Sequence, residues 1–328
     1  MPRDRGRRPR ARLALGLALA AAAVGGYWGL LWAVPEGMVR APNAGLSGLE
    51  AGDPGPEALE KLGVRSHLRI SVGPPAASLS CFVIEPPAGS PPRATVLVLH
   101  GIRDGKHSQL GTGRFLAGLG YRAVLVDSRG QGRSTGSHLT YGILESRDLV
   151  QVLDWLEQHG LFAEPAGAFG FSYGGSTAIQ LAGKDPRVVA VVSVSTFASV
   201  RAALRSYLER FLPVAGRWIP EAHLDRILDR ASRRAGLDLR EADTVAAMRR
   251  GTARILILHG EDDRKLPPLH ARQLHAAAPD RSELVLVPAE DHDSMMADRT
   301  GEVRRRARDW LARWLAMREP PPPGGGCP

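Results

Sequence analysis

Cysteine is nearly absent. The chain has two, Cys81 and Cys327, too few for a disulfide framework. Cys81 lies in an apolar strand-like run and reads as plain core, and Cys327 sits in a Pro/Gly tail. Lysine is scarce too: the 43 basic residues are nearly all arginine, and the formal net charge is +9. That surplus does not build a nucleic-acid module. Residues 1–12 hold six arginines and one aspartate, so more than half of it sits in one tail. Aromatics make up only 5%, and no aromatic-and-basic pattern of a nucleic-acid module appears elsewhere. Metal-ligand spacing is also missing. His107, His138, His223, His270 and His275 stand without cysteine or carboxylate partners at zinc-like intervals. Gly130-x-Gly132 lacks the third glycine that would open a helix, which excludes a dinucleotide fingerprint. No cofactor, no metal and no nucleic acid are therefore expected.

What is present begins with a charge-free run of 22 residues, Leu13 to Val34. At about 1.5 Å per residue a helix of that length spans the hydrocarbon layer of about 30 Å. Tyr27, Trp28 and Trp32 cluster at its far end, as interfacial aromatics do, and the arginines at its near end hold residues 1–12 in the cytoplasm. The expectation is a single-pass signal anchor over 13–34 with the rest on the non-cytoplasmic side. The alternative is secretion after cleavage at the small residues Ala21-Ala22-Ala23; the apolar run continues past that point, which favours the anchor. Residues 35–63, rich in Pro, Ala and Gly, read as a tether with little structure beyond one short helix at 57–62. Residues 319–328 read as a disordered Pro/Gly tail.

From about residue 64 strands and helices alternate. His67–Val72 and Leu79–Ile84, separated by Gly73-Pro74-Pro75, read as an antiparallel pair. Thr95–Leu99, Ala123–Val126, Ala166–Phe169, Val188–Val194, Arg254–Leu258 and Leu284–Val287 are short apolar runs of the kind buried on both faces of a parallel sheet. Helices are expected at 108–119, 143–159, 174–184 and 301–317, the last with Val303, Ala307, Trp310, Leu311 and Trp314 as a core stripe. The fold class is α/β over 64–318, with a mostly parallel eight-stranded sheet flanked by helices. Between Ser195 and Ala253 no strand signal occurs. Two amphipathic patterns there, one through Leu204 and Leu208 and one through Leu224, Ile227 and Leu228, predict a small helical cap over about 197–252.

The pentapeptide Gly170-Phe171-Ser172-Tyr173-Gly174 reads G-x-S-x-G. A lone match is weak in a chain with 37 glycines. Its context is stronger: an apolar strand precedes it and a run of small residues and helix formers follows. Strand, sharp turn and helix lift a serine hydroxyl clear of the sheet. Serine needs a base, and the base needs orienting. The strand ending at Leu258 runs into His259-Gly260-Glu261-Asp262-Asp263, and the strand ending at Val287 into Glu290-Asp291-His292-Asp293. The acids and His292 thus emerge on the same side of the sheet as Ser172.

These motifs resemble the α/β-hydrolase-fold serine hydrolases, in the branch of serine aminopeptidase-like and esterase or lysophospholipase-like enzymes. The resemblance rests on His100-Gly101, Asp127-x-Arg129-Gly130-x-Gly132-x-Ser134, Gly170-x-Ser172-x-Gly174, His259-Gly260-x-x-Asp263-x-x-x-Pro267 and His292. It covers about 64–317. It implies Ser172 as nucleophile, His292 as base and Asp263, rather than Asp262, as the acid. It further implies an oxyanion hole from the backbone N–H groups of Ile102 and Tyr173. Asp-His-Asp stands here in place of the more usual Gly-His. His100 and His259 read as loop packing, and Arg129 as a brace. The expected activity is hydrolysis of a carboxylic ester or related acyl bond in a small-molecule or lipid-like substrate. A peptidase or amidase, or a non-catalytic binding protein of the same fold, are the alternatives.

Overall fold

A computed structural model describes residues 25–26, 29, 32–46, 54–213 and 216–316. The expected basic tail, most of the expected membrane segment and the C-terminal tail lie outside them. Among the described residues no helix is long and apolar enough to cross a membrane.

Eight strands form one sheet. They are β1 (Ser66–Val72), β2 (Ala77–Ile84), β3 (Thr95–Leu99), β4 (Arg122–Val126), β5 (Ala166–Phe171), β6 (Val188–Val194), β7 (Arg254–Gly260) and β8 (Ser282–Val287), in the spatial order β1-β2-β4-β3-β5-β6-β7-β8. Only β2 runs antiparallel to its neighbours; β3 to β8 are parallel. The unbroken apolar runs explain this, since β3 and β5 are buried at every position and β4 at all but Arg122.

The helices, in chain order, begin with α1, whose described part is 32–39, and α2 (Pro56–Lys61). Then come α3 (Leu110–Gly118), α4 (Ile143–Gln158), α5 (Tyr173–Ala182), α6 (Val200–Phe211), α7 (Glu221–Ala235), α8 (Thr244–Arg250), α9 (Leu269–Ala277), α10 (His292–Ala297) and α11 (Glu302–Trp314). One apolar cluster joins a face of the sheet to α4, α5, α8 and α9. A second joins the other face to α3 and α11, where Val303, Ala307, Trp310 and Leu311 are buried.

A third cluster is the interior of the cap. Leu224, Ile227, Leu228 and Ala231 of α7 meet Val200, Ala203, Leu204 and Leu208 of α6, and the cluster reaches down to Tyr141, Tyr173, Phe197 and Leu266. The cap is narrower than 197–252. Ala247 and Met248 of α8 pack into the first cluster beside α5 and α9, so α8 belongs to the sheet layer. The segment expected as a slack tether also takes part. Val34 and Met38 pack against the cap cluster, and Val39 and Ala41 are buried. A handful of apolar side chains in a Pro/Gly-rich stretch suffices because the cap offers them a matching apolar surface.

Candidate functional site

Ser172 sits directly after β5 with φ 49° and ψ −109°, in a sparsely populated region for a residue with a Cβ. Its surroundings enforce this. Its backbone N–H donates to Val194 O of β6 at 2.7 Å, and Ser176 N donates back to Ser172 O at 3.1 Å as α5 starts. The glycines beside it have no room for a side chain. A Cβ on Gly174 would lie 2.4 Å from Leu99 O, and one on Gly170 2.3 Å from Gly174 O. A Cβ on Gly175 would lie 1.9 Å from the Thr196 hydroxyl. The end of β3, the turn and β6 therefore close on one another, and the turn fits only because it is glycine-rich.

Tyr173 is held as firmly. Its hydroxyl donates to Glu145 Oε1 at 2.6 Å and accepts from Tyr141 N at 3.2 Å. Glu145 also accepts from Thr140 N and Gly142 N, so one buried carboxylate ties the start of α4 to the residue after Ser172. The Tyr173 amide makes no hydrogen bond within the described protein, nor does that of Ile102. Two unengaged donors beside a strand end and a helix N-terminus can receive an anionic oxygen.

His292 opens α10, and its Nδ1 lies 2.7 Å from Asp263 Oδ2. The other carboxylate oxygen accepts from Lys265 N at 2.9 Å and Leu266 N at 2.8 Å, which fixes its plane. Asp262, the neighbouring candidate, is exposed and does not touch the histidine. Burial alone would raise the Asp263 carboxyl, but the imidazoles of His259 and His292 beside it outweigh that and hold the group well below the ordinary carboxylate range. Of the two, His292 is the close partner. His259 Nε2 is 3.4 Å from the carboxylate and donates to Leu266 O at 2.7 Å instead. The Asp-His-Asp context is accommodated by capping: Asp291 accepts from Asp293 N and Ser294 N and so starts α10. Asp293 turns outward to Lys265 at 2.6 Å. No hydrogen bond joins the Ser172 hydroxyl to His292; both are nearly buried, with one ring nitrogen of the histidine unengaged. Such contacts are often long without substrate.

The remaining motifs are braces. His100 Nε2 accepts from Ser128 N at 3.0 Å, and Nδ1 contacts Gly101 O at 2.7 Å, which selects the Nδ1–H tautomer. Arg129 forms a bidentate pair with Asp148 of α4, at 2.8 and 2.7 Å. Lys106 escaped the sequence reading. It is fully buried, with Nζ 2.6 Å from Asp127 Oδ2, 2.8 Å from Ser80 Oγ and 4.5 Å from the Phe82 ring centre. Asp127 also accepts from Lys106 N and Arg133 N, and a Cβ on Gly132 would collide with it. This pair locks the loops after β3 and β4 together.

Comparison with known proteins agrees with this architecture. Residues 94–251 match the family model described as the alpha/beta hydrolase fold. The chain has the α/β-hydrolase fold. It is similar to the uncharacterized protein YfhR of Escherichia coli K12, at 24% identity over 217 residues, covering 65% of this chain and 67% of that one. Among solved structures it resembles the Pyrococcus furiosus esterase Pf2001, with a TM-score of 0.61 and 19% identity over 80% of this chain and 98% of that one. It also resembles the Pyrococcus horikoshii acylaminoacyl peptidase, with a TM-score of 0.58 and 18% identity over 81% of this chain and 44% of that one. The α/β-hydrolase sheet and its flanking helices are thus shared by an esterase and a peptidase.

Above the strand ends, Tyr207 of α6 faces the acid. Burial and then the Asp263 charge raise its phenol above the ordinary value. Ile102, Phe197 and Leu266 belong to the cap cluster, so the α/β-hydrolase core meets its cap through apolar side chains.

Proposed function

We propose that this chain is a serine hydrolase cleaving a carboxylic ester or related acyl bond. The observation that carries the reading is the 2.7 Å contact between His292 Nδ1 and Asp263 Oδ2, on the loops after β7 and β8, at the same end of the parallel sheet as a serine in a strained strand-to-helix turn after β5. With Nδ1–H held by the carboxylate, Nε2 is the basic nitrogen. Ser172 Oγ attacks the acyl carbon as its proton passes to Nε2. The oxyanion is received by the amides of Ile102 and Tyr173. Collapse expels the alkoxide, which takes the proton from His292. Water then adds to the acyl-enzyme with His292 as base, and the second collapse returns the proton to Ser172 Oγ.

The resemblance to the Pyrococcus furiosus esterase Pf2001 supports an ester as the substrate. The resemblance to the Pyrococcus horikoshii acylaminoacyl peptidase supports a peptidase or amidase as the second reading. A fluorophosphonate probe should label the protein and fail to label Ser172→Ala. Labelling that survives the substitution, or no labelling of the folded protein, overturns the hydrolase. A panel of p-nitrophenyl esters against aminoacyl p-nitroanilides then separates esterase from peptidase.

The uncharged run Leu13–Val34 supports a single-pass anchor, with the catalytic domain outside the cytoplasm. Alkaline carbonate should leave the protein in the membrane fraction. A soluble mature chain beginning near residue 24 would overturn the anchor.

A further inference from the structure

The structure assigns the outer face of the cap, to our reading, as a surface that lies on an anionic lipid bilayer; we infer this on top of the anchor proposed above. Three observations converge on that face.

The first is where the chain arrives. The uncharged run ends at Val34, and α1 does not then leave as slack. Val34 and Met38 pack on the cap cluster, and Val39 is only 1% exposed. Arg234 of α7 pairs with Glu36, and Arg103 donates to Gly37 O at 2.9 Å. From Val34 to Val39 along a helix is about 7 Å. An anchor that leaves the bilayer at Val34 therefore holds the domain close and cap-first, with no room to swing.

The second is charge. Residues 197–243, the cap without α8, carry nine arginines, no lysine and seven carboxylates. On α7 the inward face is Leu224, Ile227, Leu228 and Ala231. Arg226, Arg230 and Arg233, at intervals of four and three, share the other side. The α7 carboxylates are engaged by neighbouring arginines: Glu221 by Arg201 and Arg205, Asp225 by Arg201 at 2.9 Å, and Asp229 by Arg240 at 2.6 Å. Arg226 and Arg233 are exposed on that side.

The third is apolar exposure at both ends of this stripe. Next to the last turns of α7, Trp32 is 59% exposed and stacks with Arg230, whose guanidinium carbon is 4.9 Å from the ring centre. Just before the first turn, Phe211 and Trp218 are 72% and 82% exposed, flanked by Arg210 and Arg217. Aromatic rings beside guanidinium groups suit the headgroup layer, the rings entering the acyl boundary and the arginines meeting phosphates. A face meant only for water would need arginines but no exposed tryptophan. The chain's arrival at this face selects a bilayer over a soluble partner.

The test uses the full chain with Cys327→Ser, floated with vesicles of phosphatidylcholine and phosphatidylglycerol. Spin labels are placed at Phe211→Cys, at Trp218→Cys and, away from the cap on α2, at Glu60→Cys. Labels at 211 and 218 should be more accessible to oxygen than to a water-soluble nickel chelate, and the label at 60 the reverse. Joint reversal of Arg226, Arg230 and Arg233 to Glu should return 211 and 218 to the aqueous ratio. Aqueous labels at all three positions on protein that floats overturn the docked face and leave the anchor standing. Labels at 211 and 218 shielded from both reagents mean that a protein covers the patch, which also overturns it. Protein that stays behind when vesicles float overturns the anchor and the face together.

Discussion

Asp263→Asn is the substitution on which the proposed chemistry turns. In the folded protein Asp263 Oδ1 receives the amides of Lys265 and Leu266, and Oδ2 receives His292 Nδ1 at 2.7 Å. An asparagine keeps one acceptor. Two backbone donors hold it on the Oδ1 side, so the amide NH2 faces the histidine. Two donors cannot face one another, and the ring must move its proton to Nε2. That nitrogen then has no lone pair for the Ser172 proton. Reversing the tautomer in this way lowers kcat by about three to four powers of ten, or about 4–5.5 kcal/mol of transition-state stabilisation. KM should move far less than kcat, because the interaction removed acts through His292 in the transition state. The assay is kcat and KM on a p-nitrophenyl ester beside Asp262→Asn, whose exposed side chain makes no bond to His292 and should stay within about twofold of the parent. A fall of similar size in both variants, or an Asp263→Asn enzyme within about tenfold of the parent, would refute the assignment of the acid.

The same group leaves a mark on acid stability. Its carboxyl is depressed in the fold, so it stabilises the native state above its unfolded value near 4 and loses that contribution as pH falls below it. Asp263→Asn should therefore flatten the dependence of Tm on pH between about pH 4 and 2 while changing its value at pH 7.

Three further outcomes are expected. Lys106→Met keeps the contact with Phe82 but leaves Asp127 buried and unneutralised; urea denaturation should show a loss of about 3–5 kcal/mol. Gly174→Ala drives a methyl against the carbonyls of Leu99 and His100, 2.4 and 2.6 Å away, and shifts the Tyr173 amide relative to that of Ile102. Its kcat should fall at least about a hundredfold, as for loss of one oxyanion donor, against a stability cost of about 1–3 kcal/mol by thermal melting. His270 on α9 holds the cap, its Nδ1 accepting from Ala198 N and its Nε2 contacting Ser206 Oγ at 3.0 Å. Burial, then the His259 ring, push its pKa down to about 4. The fold takes up this proton less readily than the unfolded chain, so stability should fall as pH drops from about 6.5 toward 4, by about 3 kcal/mol. In His270→Gln that slope should be absent from urea midpoints measured across the range.

What could be read beforehand was whatever shows in local periodicity. Strands buried on both faces appear as unbroken Val, Leu and Ile runs, and α11 shows its core stripe, so the sheet and its main layers were legible. The loops bearing Ser172, Asp263 and His292 were legible because each follows such a run and the glycines mark the turn. Pairings between distant segments were not. Nothing around Lys106 distinguishes it from a solvated lysine; its partner lies 21 residues on, and only the adjacency of β3 and β4 brings them together. Glu145 sits in an amphipathic helix, but helical spacing cannot say that an inward position holds a carboxylate waiting for Tyr173. The helices α6, α7 and α8 carry the same 3.6-residue pattern, so spacing alone cannot separate a cap over the strand ends from a helix beneath it. Nor can it show α1 docking through Val34, Met38 and Val39, since their matching surface is made by residues two hundred positions away. The consequence for function is direct. Ser172, Asp263 and His292, the groups proposed to react, sit on loops fixed by the sheet and can be named from sequence, whereas the apolar cluster above them is assembled from α1, the loop after β3, α6 and the loop after β7. Swapping the partly exposed Tyr207 should therefore change which ester is preferred while leaving fluorophosphonate labelling of Ser172 intact, and swapping Asp263 or His292 should do the opposite.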